Sequence, residues 1–179
     1  MICCPNVKIN LGLHVLAKRA DGFHDLETLF IPYPGISDRL EIITGEDWSR
    51  TLAELKDKYG ELTQAVSPDG KLMITIARAQ GVDWDPLKDL TAKAYALLAA
   101  DYDLPPMKIF LEKRSPVGAG LGGGSSDAAF ALRMMAELAG LPLSDDTLAA
   151  YAARLGSDCA FFVYNRPMFG SGRGEVLEL

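Results

Sequence analysis

The stretch from Lys108 to Gly140, KIFLEKRSPVGAGLGGGSSDAAFALRMMAELAG, sets five glycines within seven residues between a strand pattern and a helix pattern. The partly β-favouring KIFLEK predicts a strand, and Ala131, Met134, Met135 and Leu138 recur at i, i+3, i+4, i+7 as one helix face that Gly140 ends. Between them Gly118, Gly120, Gly122, Gly123 and Gly124 permit positive φ and bare the backbone, while Ser125, Ser126 and Asp127 crowd the helix start as capping candidates. A plain turn needs one or two glycines, at about 0.5–1 kcal/mol each in backbone entropy. Five predict a loop shaped for an anion, whose successive N–H groups face phosphate oxygens at a helix N-terminus carrying about half a positive charge.

Known phosphate loops are separated by their surroundings. The Walker A pattern needs a Gly-Lys-Ser/Thr ending that this stretch lacks. Gly118, Gly120 and Gly123 match the dinucleotide fingerprint G-x-G-x-x-G, but that βαβ unit requires a second strand ending in an acidic residue about 20 positions on. A second helix pattern follows instead. The Val-Ala-Ile-Lys, His-Arg-Asp and Asp-Phe-Gly segments of a protein kinase do not occur.

The chain's 179 residues are 49% hydrophobic and 23% charged, enough for one globular domain or part of a larger protein. A net charge of −6 offers no basic patch for nucleic acid or an anionic membrane, so the phosphate site depends on backbone dipoles and a few cations. Cys3, Cys4 and Cys159 show no C-x-x-C spacing, and His14 and His24 are ten residues apart, so neither a disulfide framework nor a metal site is expected. Free thiols, no apolar run near 18 residues and no signal-peptide layout predict a cytoplasmic protein.

Taken in order, VKINLGLHVL alternates strictly, predicting a half-buried strand with Val7, Ile9, Leu11, Leu13 and Val15 inward and Lys8, Asn10, Gly12 and His14 outward. AKRADG is a turn at Asp21-Gly22, and FHDLETLFIPY returns as the second arm of a hairpin. DRLEIITG and KLMITIA predict strands, and residues 46–70 between them a peripheral excursion with a short helix around SRTLAELKDKYG. Helices are expected over 88–102, 126–139 and 145–155, the last capped by Ser144 and stopped by Gly156. SDCAFFVYN predicts a loop running into an apolar strand, and RPMFGSGRGEVLEL a glycine-rich turn and a short strand. The fold class expected is α+β, a mostly antiparallel sheet with helices packed on one face.

The segment PVGAGLGGGSSDAA resembles the second motif of the GHMP small-molecule kinases, and KINLGLHVLAKRADGFHDLETLF, GSDCAFF and FGSGRGE resemble, in order, segments of the members that phosphorylate 4-diphosphocytidyl-2-C-methyl-D-erythritol. Phe23 stands where those members commonly have Tyr, Asp127 where Asn is frequent, and Cys159-Ala160 where Val-Pro is usual. The family's third glycine-rich motif and C-terminal domain are missing, so the resemblance implies that residues 1–179 are the N-terminal, ATP-binding domain, with doubtful activity by themselves.

The resemblance implies transfer of the γ-phosphoryl of ATP, with Mg2+, to the 2-hydroxyl of that cytidine substrate, in the non-mevalonate route to isoprenoid precursors. It makes Asp158 the base and Lys8 its cationic partner. It sets Phe23 and His24 against the cytosine with Asn10 and Phe30 nearby, and Pro116, Val117, Gly118, Ala119, Gly120, Leu121, Gly122, Gly123, Gly124, Ser125 and Ser126 around the phosphates. Asp89, Leu90 and Lys113 are expected on the adenine side, and Ser126 near the magnesium; no carboxylate cluster marks a dedicated metal cage. From residue pattern alone, Lys8 reads sooner as a solvated strand residue, Asp158 as a helix stop, His24 as a surface or satisfied residue, and Phe23 and Phe30 as core; the resemblance reverses that order for Lys8 and Asp158. A nicotinamide-dependent oxidoreductase and a non-catalytic domain with a vestigial loop remain as other classes.

Overall fold

In chain order, the computed structural model runs β1 (Ile2–Cys3), β2 (Asn6–Lys18), β3 (His24–Ser37), β4 (Arg39–Thr44), α1 (Leu52–Tyr59), β5 (Thr63–Val66), β6 (Leu72–Arg78), a 3-10 turn (Pro86–Lys88), α2 (Leu90–Ala99), β7 (Met107–Lys113), α3 (Gly123–Leu138), α4 (Asp145–Leu155), α5 (Cys159–Tyr164), β8 (Met168–Ser171) and β9 (Val176–Glu178). It describes residues 1–172 and 176–179, without the side chains of Leu13 and Leu26, so the inward placement expected of Leu13 and part of the expected terminal turn lie outside the described residues.

Two sheets form: β1-β4-β7-β6-β5, and the wholly antiparallel β2-β3-β8-β9. The strands are mostly antiparallel, as expected, except that β6 and β7 run parallel from Leu72↔Met107 to Arg78↔Lys113. Parallel neighbours need a long crossover, and α2 supplies it. The alternation within β4, β6 and β7 sends Leu40, Ile42, Ile74, Ile76, Ile109 and Leu111 into the main core with Leu98, Leu132, Met135 and Phe161 of α2, α3 and α5. Ile43, Ala77 and Phe110 point the other way, where Leu55 of α1 covers them. Helices α2 to α5 thus share the expected face, and α1 lies on the opposite one.

Capping sets two helix starts, at Ser144 as expected from the sequence and at Asp89, for which no cap was expected. The Asp89 carboxylate accepts from the Thr91 N–H at 3.1 Å, and the Ser144 hydroxyl from the Thr147 N–H at 3.1 Å. At α3 the expectation fails: the helix begins at Gly123, with left-handed Gly122 (φ 70°) as its N-cap, and Ser125, Ser126 and Asp127 already lie inside the first turns. The segment CAFFVY is also helical, not a strand, and left-handed Asn165 (φ 52°) ends it. Periodicity cannot separate a short buried helix from a buried strand, and Cys159 to Val163 are buried on every side. In the excursion α1 appears as expected, whereas the short strand β5 had no clear signal.

The face assignment of β2 fails on both faces: Lys8 of the outward face is buried, and from residue 11 to 18 the described residues of both faces are exposed. Val7 is buried, but Ile9, Leu11 and Val15 are 42%, 51% and 60% exposed, while Lys8 is 1% exposed. Irregular register between Leu11 and His14, and between Val15 and Ala17, breaks the alternation further along. Among the described residues no helix is long and apolar enough to cross a membrane.

Candidate functional site

The glycine loop joins the end of β7 to the start of α3, and Gly118, Gly120 and Gly122 all take left-handed φ of 70–77°. Glycine is required most plainly at 122, where an added Cβ would stand 2.9 Å from the Phe162 ring and 3.3 Å from Cε of Lys8. The first intrahelical bond of α3 runs from the Ser126 N–H to the Gly122 carbonyl at 2.9 Å. The N–H groups of Gly123, Gly124 and Ser125 precede it at the positive end of a 16-residue helix. They border a cavity of about 330 Å³ lined by Trp84, Asp89, Leu90, Lys113, residues 116–120 and residues 122–125.

Most of the residues expected around a nucleotide thus line one cavity, but two do not. Leu121 turns its carbonyl to the Lys8 N–H at 2.9 Å. Ser126 is fully buried and its hydroxyl has no partner, so the expected approach of Ser126 to a metal fails; the half-buried Ser125 is the serine that borders the cavity. Two further expectations change in character. Asp89 borders the cavity with both oxygens engaged, one by the Trp84 indole N–H at 3.0 Å and the other by the N–H and hydroxyl of Thr91. The Lys113 ammonium, 2.7 Å from both Asp38 and Asp127, is likewise held within the protein.

That buried cluster lies directly beneath the loop. One Asp38 oxygen accepts from the N–H groups of Arg114 and Ser115 and from the Ser115 hydroxyl, while one Asp127 oxygen has no partner. Burial raises the Asp127 carboxyl well above its usual range, with Asp38 adding to it and Lys113 opposing. Burial acts on Asp38 in the same sense, but hydrogen bonds and the Lys113 charge outweigh it and hold that carboxyl low. For Lys113 burial opposes the charge and the two carboxylates prevail, so its pKa is raised.

On the other side of the loop stands Lys8. Its ammonium donates to Asn10 Oδ1 at 2.8 Å and to the Gly120 carbonyl at 3.0 Å, lies 5.1 Å from the Phe30 ring centre, and is 3.6 Å from Oδ2 of Asp158. Burial lowers the Lys8 pKa and the Asp158 carboxylate works against that. Asp158 heads α5 with its side chain 34% exposed and makes no capping bond, so the carboxylate is accessible. The reciprocal amide pair of Asn6 and Asn165, 3.0 and 2.8 Å, fastens the start of β2 to the end of α5 and so fixes Lys8 against Asp158.

Of the four residues expected at the substrate, Asn10 and Phe30 are paired across β2 and β3 beside Lys8. Phe30 is 2% exposed and packs on Phe161 with ring centres 5.2 Å apart, which makes it a wall of the core under Lys8 and not a ligand-facing ring. Phe23 and His24 are exposed at the turn end of the hairpin, where Lys18 pairs with His24, a long stretch of ladder from the Lys8↔Pro32 pair. Among the described residues no three His, Cys, Asp or Glu side chains gather as metal ligands. Sequence reasoning missed Trp84 and Asp38; a tryptophan just before the 3-10 turn was a weak signal for the first, and nothing local marked the second.

Residues 89–166, from the cap of α2 to just beyond α5, match the family described as the GHMP kinases N terminal domain. The fold is that of a GHMP kinase N-terminal domain. A solved 4-(cytidine 5'-diphospho)-2C-methyl-D-erythritol kinase superposes with TM-score 0.71 and 31% identity over 99% of this chain and 54% of its own. The 4-diphosphocytidyl-2-C-methyl-D-erythritol kinases of Azobacteroides pseudotrichonymphae and Bacteroides thetaiotaomicron are 43% and 44% identical over 98% of this chain. The chain spans about half the length, 56%, of these curated relatives. The mevalonate kinase of Methanococcus jannaschii, at 12% identity and TM-score 0.59, shares the GHMP fold alone.

Proposed function

We propose that residues 1–179 are the ATP-binding domain of a kinase that transfers the γ-phosphoryl of ATP to the 2-hydroxyl of 4-diphosphocytidyl-2-C-methyl-D-erythritol, in the non-mevalonate route to isoprenoid precursors. The observation that carries this reading is the Lys8 ammonium spanning 3.0 Å to the Gly120 carbonyl of the loop and 3.6 Å to the Asp158 carboxylate. Phosphate groups on one side and an acceptor hydroxyl on the other would meet at that cation. Phosphoryl transfer asks of the protein mainly positioning and charge stabilisation. The N–H groups of Gly123, Gly124 and Ser125 hold phosphate oxygens, Asp158 takes the hydroxyl proton, and Lys8 offsets charge at the transferring group. Magnesium would be held chiefly by the nucleotide's phosphates and would offset their charge, since among the described residues no three His, Cys, Asp or Glu side chains gather to hold it. The identity to relatives bearing the kinase name supports the choice of substrate. A cytoplasmic setting accords with the free thiols of Cys3, Cys4 and Cys159.

The relatives are nearly twice as long, so a second domain is expected to complete the cleft, and residues 1–179 alone to turn over slowly or not at all. Calorimetry with Mg-ATP and a sensitive ADP-release assay, on this chain and on this chain joined to the remaining half of a relative, test the proposal. Expected are ATP binding by both, and ADP release by the longer chain that depends on the cytidine substrate. Absence of ATP binding, or ADP release driven equally by mevalonate or homoserine, would refute it.

A further inference from the structure

The C-terminal ends of the parallel pair β6 and β7 lie side by side, with Arg78 in register with Lys113, and Leu55 of α1 packs over Ala77 and Phe110. That packing brings Lys58 and Tyr59, one turn beyond Leu55, to the same edge, where a second cavity of about 500 Å³ is lined by residues 58–59, 78–80 and 113–114. No acidic side chain lines it, in a chain whose net charge is −6. Beside it the Glu112 carboxylate, 2% exposed, accepts from Lys58 Nζ at 2.8 Å and from the Tyr59 hydroxyl at 2.7 Å, and pairs with Arg39 at 3.4 Å and Arg114 at 3.7 Å. Arg39 has a second partner in Glu54 at 3.0 Å. Arg78 has no ion pair among the described residues: its guanidinium donates to the Gly81 carbonyl at 3.2 Å and lies 5.7 Å from the centre of the Trp84 ring. Four cations, Arg39, Lys58, Arg78 and Arg114, thus stand against two carboxylates, Glu54 and Glu112, an excess of two positive charges.

We propose that this cavity is a second anion site, separate from the glycine loop, which takes the phosphate or diphosphate group of a small phosphorylated molecule. A phosphate monoester carries close to two negative charges at neutral pH and cancels the excess, whereas a single carboxylate cancels only half of it. The guanidinium forks of Arg78 and Arg114 present paired N–H donors that match phosphate oxygens, and the Lys58 ammonium adds a point charge. Lys58 and Arg114 are 53% and 39% exposed at their side chains, so neither is spent wholly on Glu112. Lys113 lines this cavity and the loop cavity alike, but its ammonium is held by Asp38 and Asp127 and is not free for a ligand. The volume suits a small molecule.

Titration of the isotope-labelled chain with inorganic pyrophosphate at low salt, followed by the NMR shifts of its backbone amides, tests the site residue by residue. Saturable shifts are expected at residues 58–59, 78–80 and 113–114, apart from any at residues 118–125 of the glycine loop, with affinity falling as salt is added. Arg78→Gln and Arg114→Gln are each expected to weaken binding at the first group by about tenfold or more and to leave the loop response unaltered. Arg78 is not a partner of Glu112, so Arg78→Gln decides the matter even if Arg114→Gln disturbs the fold. Lys56→Gln removes the same charge from an exposed position of α1 outside the cavity and is expected to change nothing. Shifts confined to residues 118–125, no saturable shift at any residue, or equal weakening by Lys56→Gln and Arg78→Gln would overturn the proposal. So would tighter binding of a hexaglutamate peptide than of pyrophosphate at the same amides, which would make the cavity a docking place for acidic protein segments. A saturable response at residues 78–80 with none at 118–125 would uphold this site while the phosphate reading of the loop falls.

Discussion

Replacing Asp127 by asparagine should stabilise the protein at neutral pH, although its carboxyl lies 2.7 Å from a buried ammonium. Asp38, Lys113 and Asp127 are at most 4% exposed at their side chains, and one ammonium can neutralise only one of two carboxylates. Asp38 collects two further backbone N–H groups and a hydroxyl, so it is the better-stabilised anion, and the unpartnered oxygen belongs to Asp127. Burial therefore keeps a proton on Asp127 at pH values where the unfolded chain, with the ordinary carboxylate value of 3.8, has lost it. Folded protein binds more protons than unfolded across that window, so stability falls as pH rises through it, by at most about 1.4 kcal/mol per pH unit for one group. With Asp127→Asn there is no proton to lose at this position, and the amide still accepts from Lys113 and donates toward Asp38. Burial lifts the nearby Cys3 thiol to about 12, which keeps it from titrating in the same range. Urea denaturation from about pH 5 to about pH 8 should show a declining stability in the parent chain that Asp127→Asn flattens, with the variant the more stable at the upper end. Identical slopes in the two proteins, or a variant less stable throughout, would refute the assignment of the proton to Asp127.

Asp158→Asn in the lengthened enzyme should lower kcat by about 10²–10⁴-fold and leave ATP affinity intact, because the carboxylate touches no loop atom except through Lys8. Lys8→Met should lower kcat as well, but it should also weaken ATP in calorimetry, since it frees the Gly120 carbonyl that the ammonium holds at 3.0 Å; unchanged ATP binding would detach Lys8 from the loop. Gly124→Ala meets only Leu90, at 4.0 Å, without positive φ, so it should keep or raise the melting temperature while a methyl at the cavity wall weakens ATP. Gly122→Val should instead unfold at lower temperature, since strain at φ 70° costs about 1–3 kcal/mol before the contact with Phe162 is counted. Equal melting temperatures for the two glycine variants would contradict the packing described around Gly122.

The glycine loop, its flanking strand and helix, the cap at Ser144 and the strands at residues 39–44 and 72–78 were legible because each rests on residues close in sequence. Glycine density, capping side chains and a period of two or 3.6 act over a few residues, whatever the rest of the chain does. Lys8 and Asp158 entered through resemblance, and their approach to 3.6 Å depends on the Asn6–Asn165 clamp across 159 residues. Alternation in β2 told which residues share a face but not which face would be covered, and α5 with the loop covers Lys8 while Ile9 and Leu11 stay exposed. The same limit applies to CAFFVY, where burial on every side erases the periodic signal, and to Lys113, whose two carboxylate partners come from positions 75 residues before and 14 residues after it. Local chemistry set the pieces; which charged groups lost their water, and which apolar ones kept it, was decided only when distant segments packed.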